Sequence, residues 1–269
     1  MLSVLKIGGS VLRDDESYAT VASFLRQRLA GHPDERLVVI VSARHGSTDA
    51  LLAEAEAIAP QPDSHTLDLL WSTGELRSVA LLALQLQRIG VAAVPFNVHQ
   101  TGLVAERPSP DLVAACSSGS ATTVRPLRLL AALASSRIVI VPGFLGVSAG
   151  GTITSLGRGG SDLTAVLVAA AVRADACELI KDVPGYFTAD PHRDAHAQPL
   201  HDLTIDEALC MADAGCDLVQ RAALVAAGHA NLHLIIRGMD AAAAVTHVHS
   251  RSNHGVRHED HSRRSAVGA

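Results

Sequence analysis

Glycines beside isolated charged residues are the part of this sequence best suited to chemistry. TSLGRGGSD, residues 154–162, places Arg158 between glycines directly before an alanine-rich run, and KIGGS places Lys6 beside Gly8 and Gly9. Glycine lets backbone N–H groups approach an anion closely, and the amino terminus of a following helix adds a positive dipole. Both stretches therefore favour binding of a phosphate or carboxylate, although a plain structural turn fits KIGGS at least as well when it is taken alone.

Two further stretches offer polar side chains. VSARHGSTD, residues 41–49, carries the hydroxyl of Thr48, whose simplest role is to cap a helix. WSTGELRS, residues 71–78, is expected to be a loop before a leucine-rich helix, so Glu75 would stand in the first turn of that helix. Glu in that place usually complements the helix dipole. A functional Glu75 would instead pair with a cation, such as the ammonium group of an amino acid.

ELIKDVPGYFTADPHR, residues 178–193, is rich in Asp, Pro and Gly and is expected to form a loop after an apolar strand. Loops at the carboxyl ends of parallel strands are where ligands bind in open α/β folds. Tyr186 and Phe187 either pack on a nucleotide base or anchor the loop to the core, and composition does not decide between the two. The chain has neither a Walker A pattern nor a GxGxxG stretch with a downstream acid, which argues against the P-loop and Rossmann classes.

Apolar runs alternate with stretches of helical spacing along most of the chain. Strands are predicted within residues 2–9, 36–43, 90–98, 136–144, 176–183 and 230–238, and helices within 18–31, 75–90, 161–174 and 204–215. Ser161 or Asp162 is expected near the amino-terminal cap of the third of these helices, and Thr204 and Glu207 have the spacing of a capping box. Continuous apolar strands between helices predict an α/β fold with a parallel sheet covered on both faces.

Composition excludes several classes of protein. The 269 residues are 48% hydrophobic with a net charge of −5, enough for a sizeable core but without the basic patch that nucleic-acid binding needs. No signal peptide and no apolar run of about 18 residues is present, so no membrane partner is expected. Four cysteines without a CxxC pair give neither a zinc site nor a disulfide framework. We therefore expect a soluble, cytoplasmic protein.

A polar, histidine-rich stretch follows at residues 251–269, and we expect it to be a disordered tail. Together with the residues just before it, the stretch contains five histidines: His247, His249, His254, His258 and His261. Their irregular spacing favours a solvated terminus over a metal site.

Taken together and in this order, these segments resemble the amino acid kinase family, and within it the catalytic domain of aspartokinases. The pieces that carry the resemblance are KIGGS, VSARHGSTDALL, STGELRSVALLA, PGFLGV, TSLGRGGSDLTAVLVA and KDVPGYFTADPHR. The resemblance implies a three-layer α/β/α sandwich around a mainly parallel eight-stranded sheet. That domain would cover residues 1–250, with an acceptor lobe at about 1–150 and a nucleotide lobe at about 151–250.

The same resemblance implies a reaction. ATP with Mg²⁺ would donate its γ-phosphoryl group to the side-chain carboxylate of L-aspartate, giving 4-phospho-L-aspartate. Because that carboxylate is already ionised at neutral pH, no general base is needed. Such a site works by positioning two anions and offsetting their repulsion. A homodimer is expected from the same analogy.

Roles for individual residues also follow from the resemblance. Lys6 would neutralise charge on the phosphoryl group in flight, and Asp162 would help to orient Lys6. The aspartate site would comprise Thr48, Glu75, Arg158, Gly159 and Ser161. Within it Arg158 would grip a carboxylate and Glu75 would lie near the substrate ammonium. The nucleotide side would comprise Gly8, Gly9, Ser10, Lys181, Asp182, Phe187 and Arg193. No protein residue is assigned as a metal ligand.

Three departures from the aspartokinase pattern stand out. Asp217 occupies the place of a family lysine that touches the nucleotide phosphates, which should weaken ATP binding unless Arg221 or Arg193 compensates. The chain ends where aspartokinases normally continue into regulatory ACT domains, so feedback control through such domains is not expected. The region between residues 59 and 70 is short, so the acceptor pocket is expected to be more open or differently shaped.

These departures keep two alternatives open. One is a kinase that acts on another small carboxylate or amino acid. The other is a nucleotide- or ligand-binding protein that has lost turnover, which Asp217 favours. The presence of Lys6, Glu75, Arg158 and Asp162 argues against the second alternative.

Overall fold

A computed structural model describes residues 1–105, 122–157, 159–191, 193–240 and 243–249. Arg158 and the predicted tail at 251–269 lie outside these residues, so the expectations for them stay predictions. Within the described ranges, no helix is both long enough and apolar enough to span a membrane.

Seven helices and fourteen strands are described. The helices are α1 (Asp15–Gly31), α2 (Ser47–Ile58), α3 (Ser64–Arg88), α4 (Leu127–Ser135), α5 (Gly160–Val172), α6 (Ile205–Asp213) and α7 (Arg221–His229). The first seven strands are β1 (Leu2–Ile7), β2 (Arg36–Val41), β3 (Val94–Pro95), β4 (Leu103–Val104), β5 (Thr123–Val124), β6 (Ile138–Pro142) and β7 (Leu145–Val147). The other seven are β8 (Ile153–Ser155), β9 (Ala176–Ile180), β10 (Tyr186–Phe187), β11 (Pro199–Leu200), β12 (Asp202–Thr204), β13 (Leu234–Arg237) and β14 (Val245–His249).

Eight strands form one large sheet in the order β12-β14-β13-β9-β1-β2-β6-β3. Every neighbouring pair in it is parallel except β13 and β14, which run antiparallel. Smaller sheets are formed by β5-β4-β7-β8 and by β10-β11. The mainly parallel eight-stranded sheet expected from the sequence is therefore confirmed.

Helices cover both faces of the large sheet. On β1, Val4 belongs to one buried cluster with residues of α4 to α7, whereas Leu5 and Ile7 belong to a second cluster with residues of α1 and α3. Successive side chains of a strand point to opposite faces, so Lys6 shares the face of Val4, against which α5 packs. The three-layer α/β/α arrangement is confirmed, and it places Lys6 beneath α5.

Three local predictions need correction. WSTGELRS is not a loop: α3 begins at Ser64, where the Asp63 side chain accepts a hydrogen bond from the Thr66 amide (2.9 Å), and runs through Gly74 without a break. The predicted strand at 90–98 shrinks to β3, which pairs only with β6 at the sheet edge and contains a proline that lacks an N–H donor.

The third correction concerns the caps of α5 and α2. Ser161 and Asp162 lie in the first turn of α5 as expected, but the N-cap itself is Gly159 in a left-handed conformation and no side chain caps the helix. Likewise α2 is preceded by Gly46 and has no side-chain cap, so the hydroxyls of VSARHGSTD do not serve as caps. The capping box of Thr204 and Glu207 on α6 is confirmed.

Candidate active site

Loops at the carboxyl ends of four parallel strands meet at one edge of the large sheet. Backbone hydrogen bonds run on from the strands into these loops: Gly8 N donates to Ile180 O (3.2 Å), Ser42 N to Ile7 O (3.2 Å) and Gly143 N to Val41 O (2.9 Å). The segments after β1, β2, β6 and β9 therefore lie side by side. This is the edge at which ligands bind in parallel α/β folds.

One buried carboxylate at this edge holds two ammonium groups. Asp162 Oδ1 lies 2.8 Å from Lys6 Nζ, and its Oδ2 lies 2.7 Å from Lys181 Nζ. The three side chains are between 3% and 11% exposed. Burial opposes the ionisation of Asp162, but the two lysines outweigh it and hold the pKa of that carboxyl well below its ordinary value. Three residues far apart in the sequence thus form a buried cluster with one net positive charge.

Burial acts differently on Lys181. Loss of solvent, followed by the nearby charge of Lys6, lowers the pKa of Lys181 to about 8 despite its ion pair with Asp162. Lys181 is therefore mostly charged at neutral pH and loses its charge in mildly alkaline solution.

The glycine turn after β1 fits closely against its neighbours. A side chain on Gly9 would place its Cβ 2.9 Å from the carbonyl oxygen of Ala43, so only glycine fits there. At Gly8 a Cβ would lie 3.2 Å from Lys6 Nζ, so the lysine ammonium rests against the backbone of the turn. Ser10 Oγ donates to Asp182 Oδ1 (2.8 Å) and ties the turn to the loop after β9. A closely packed glycine turn beside a buried cation is suited to contact with phosphate oxygens.

Glu75 lies in the middle of α3 and is buried, with the exposed fraction only 3%. Burial raises its pKa to about 8, and the backbone of Ala43, the charge of Lys6 and the backbone of Gly143 offset this only in part. Within the described residues, Glu75 Oε2 has no hydrogen-bond partner. A buried carboxyl with an unused acceptor atom is suited to receive a cationic group of a ligand.

Trp71, one turn before Glu75 on α3, contacts the first turn of α2 and the turn after β6. Its indole Nε1 donates to the backbone oxygen of Thr48 (3.2 Å), and its ring lies edge-on to Phe144 with centroids 5.6 Å apart. Phe144 follows Gly143 in the turn after β6 and has a left-handed backbone (φ 67°). The sequence motifs did not predict a role for Trp71. The available signal was that it is the only tryptophan of the chain.

The amino terminus of α5 closes the site from the side. Gly159 adopts φ 72°, and a Cβ there would overlap the Gln220 side chain, so both backbone shape and space require glycine. Ser161 packs against Gly143, where any Cβ would lie 2.6 Å from Ser161 Oγ. These contacts fix the first turn of α5 and with it the carboxylate of Asp162.

The remaining predicted residues are less closely tied to this cluster. Phe187 is half-buried in β10, where it pairs with Pro199. Arg193 is 88% exposed and pairs with Asp190 (3.3 Å). Arg221 is 60% exposed and pairs with Asp213 (2.7 Å). Asp217 is exposed. Arg158, the expected carboxylate clamp, is outside the described residues.

Comparisons with known proteins show what the chain as a whole is similar to. The model of the amino acid kinase family matches residues 1–238. An aspartokinase of Thermus thermophilus is 38% identical over 238 residues, which cover 88% of this chain and 56% of that protein. The solved aspartate kinase of Synechocystis superposes with a TM-score of 0.78 at 32% identity, covering 95% of this chain and 41% of that chain. E. coli aspartokinase III, solved in complex with aspartate and ADP, gives 0.79 at 25% identity, covering 94% of this chain and 66% of that chain.

This chain belongs to the amino acid kinase family. It spans a little over half the length of the curated relatives that it matches, between 53% and 60% for those most similar to it.

Proposed function

We propose that this chain is a kinase that transfers the γ-phosphoryl group of ATP to the side-chain carboxylate of L-aspartate. The observation that carries the proposal is the buried Lys6–Asp162–Lys181 cluster beside the glycine turn after β1. Its excess positive charge suits the transfer of a phosphoryl group between two anions. The similarity to aspartokinases selects aspartate as the acceptor.

The residues present fit ATP. The turn at Gly8, Gly9 and Ser10 lies beside the Lys6 ammonium and has no room for a side chain at Gly9, so its backbone and Lys6 would hold the phosphates. Among the described residues no three His, Cys, Asp or Glu side chains form a metal centre, so Mg²⁺ would be carried mainly by phosphate oxygens and water. ATP would supply the phosphoryl group, with ADP as the leaving group, and Mg²⁺ would offset charge on the phosphates.

The acceptor side rests on Glu75 and the loops packed around it. The buried Glu75 carboxyl would ionise on pairing with the substrate ammonium, since an ion pair compensates the loss of water. Thr48 and Ser161 would bind the substrate from either side, and Arg158 would grip its α-carboxylate. No side chain needs to remove a proton, because the attacking carboxylate is already ionised. The lobes at about 1–150 and 151–250, and the homodimer, stay predictions.

An acceptor screen tests the proposal. The chain is incubated with ATP, Mg²⁺, hydroxylamine and one acid from a panel, and hydroxamate formation is measured. We expect aspartyl hydroxamate with the unmodified chain and none with Lys6→Met. Product only with another acid would favour the alternative acceptor, to which the short 59–70 region points. ADP binding without any product would favour the non-catalytic binder.

A further inference from the structure

The whole sequence contains only two lysines, Lys6 and Lys181, among 22 basic residues. All the others in this count of lysines and arginines are arginine, including each exposed one. The fold brings both lysines to the two oxygens of a single carboxylate, Asp162, although 175 positions separate them in the chain. A chain that uses arginine everywhere else therefore uses lysine at one point in space.

The chemistry of the two side chains explains why lysine stands there. Arginine stays charged and presents a broad planar fork, whereas the lysine ammonium is a compact point charge that fits a narrow buried space. Among the described residues, the two ammonium groups on this one carboxylate leave one positive charge without a buried counter-ion. Asp182, the next residue, is directed to Ser10 and Arg13 instead, and Glu75 is mostly neutral at pH 7. A buried surplus charge is unfavourable until an anion binds beside it.

The surplus charge also bears on how the site could bind phosphates although Asp217 replaces the family lysine. Arg221 and Arg193, the two cations expected to compensate for the missing family lysine, are exposed and paired with Asp213 and Asp190. Lys181 is instead largely enclosed at the sheet edge, with 11% of its side chain exposed and its Nζ bound to the same carboxylate as Lys6.

We propose that Lys181 is the second phosphate-facing cation of this site and takes over the task of the lysine that Asp217 replaces. The proposal rests on the proposed kinase function. Asp162 holds the two ammonium groups side by side, so that both face the phosphates of a bound nucleotide. The pKa of Lys181, lowered to about 8, leaves its ammonium group charged near neutral pH but sensitive to alkali.

Two lysines allow a direct spectroscopic test. Protein labelled with ¹³C-lysine gives two Cε signals, which Lys181→Met assigns. We expect Mg²⁺–ADP to shift both signals and to raise the apparent pKa of Lys181, because phosphate oxygens favour its charged form. A Lys181 signal that stays unmoved while the Lys6 signal shifts would overturn the proposal.

The variant Lys181→Met separates a catalytic from a structural role. It leaves the Lys6–Asp162 pair electrically balanced, so a purely structural lysine would be lost without effect on turnover. We expect unchanged or higher thermal stability but a kcat lower by about 10²- to 10³-fold, the usual effect of removing one preorganised charge donor. Lys181→Arg should keep more of the activity than Lys181→Met.

Arg221→Gln is the matched control, because it removes the rival cation. We expect it to keep full activity. Turnover of Lys181→Met within about threefold of the unmodified chain, or a large loss in Arg221→Gln, would contradict the proposal. An ADP-induced shift of Lys181 without turnover on any acid would leave this proposal standing and remove the proposed function. Normal turnover with an unmoved Lys181 would do the reverse.

Discussion

Glu75 shows how burial prepares a single residue for a ligand. Its carboxyl has almost no contact with water, and its pKa is raised to about 8. Without a ligand it is therefore mostly protonated at neutral pH, and pairing with a substrate ammonium would displace that proton. On the proposed function, the binding of an amino acid would thereby be coupled to the protonation of one buried group.

Replacement of Glu75 by Gln should weaken acceptor use. The amide keeps the shape but cannot pair with an ammonium, so we expect kcat/KM for the acceptor to fall at least about 30-fold, as for loss of a buried charge partner. In the unmodified chain kcat/KM should rise with pH up to about 8 as Glu75 ionises, and fall above about 8 as Lys181 loses its proton. The rising limb should disappear in Glu75→Gln. A rising limb that persists in the variant would assign it to another group.

The same pKa predicts a pH-dependent stability. A carboxyl whose pKa is raised from 4.5 binds its proton more tightly in the folded state, so its contribution is full below 4.5 and is lost as the pH rises through about 8. We expect the Tm of Glu75→Gln to rise relative to the unmodified chain between pH 5 and pH 9. Thermal unfolding at several pH values measures this. A difference in Tm that does not change with pH would show that Glu75 has the same pKa in the folded and unfolded states.

At the residue scale, the sequence predicted the site residues that belong to a motif next to a strand or helix. KIGGS and GRGGSD predicted the two turns that meet at the sheet edge. The pairing of Lys181 with Asp162 could not be read in the same way, because it depends on how β9 and α5 lie in space. The signal that was available, the presence of only two lysines, indicates importance but not a contact.

At the scale of elements, α3 links the segments that follow β2 and β6. Trp71 and Glu75 lie one turn apart on the same face of the helix, and both contact the segments after β2 and β6. The sequence placed the start of this helix about ten residues too late, since Gly74 suggested a loop. Gly74 is tolerated because it allows close packing: a Cβ there would lie 3.3 Å from Ala43 Cβ.

Variants of Trp71 test this link. Trp71→Phe removes the hydrogen bond to Thr48 but keeps a ring near Phe144, and we expect the acceptor KM to rise about fivefold, corresponding to one lost hydrogen bond. Trp71→Ala should raise it further, and neither should change the Kd for Mg²⁺–ADP. Initial rates and calorimetry measure the two quantities.

Leu69→Ala is a suitable control, because Leu69 is on the same helix but 59% exposed. Since Trp71 is the only tryptophan, aspartate should also change the protein's fluorescence. An unchanged KM in Trp71→Ala would separate α3 from the acceptor site.

On the scale of the whole molecule, a second buried charge network lies farther back along the strands. Arg28 on α1 lies 2.7 Å from Glu35 and 2.6 Å from Glu178, and Ser3 Oγ donates to Glu35 (2.6 Å). Ser3 precedes Lys6 by three residues on β1, about 10 Å along the strand. This network ties α1 to the central strands without touching the candidate site.

Arg28→Met should therefore reduce stability and leave the site intact. It removes the nearest cation from two buried carboxylates and leaves Glu178 only the more distant Arg237 (3.8 Å), so we expect the free energy of unfolding to fall by about 3–5 kcal/mol. The KM values for ATP and the acceptor should stay unchanged at a temperature where the variant is folded. Denaturant unfolding measures the loss, and Arg221→Gln, which removes an exposed pair, should be close to neutral. A large rise in either KM would connect the network to the site.

The overall architecture was predictable because it depends on repeated local patterns. Long apolar runs such as those of β1, β2, β6 and β9 can bury all of their side chains only in a sheet that is covered on both faces. Short elements such as β3, β4 and β5 carry too few residues to leave a pattern, and they form only because neighbouring strands pair with them.

The most direct test of the central claim follows one oxygen atom. L-aspartate labelled with ¹⁸O in its side-chain carboxylate is incubated with the chain, ATP and Mg²⁺, and hydroxylamine then cleaves the product at its carbonyl carbon. If the carboxylate attacks phosphorus, the released phosphate carries ¹⁸O, which mass spectrometry detects. Phosphate without the label would show that water, and not the carboxylate, had accepted the phosphoryl group, and would contradict this account.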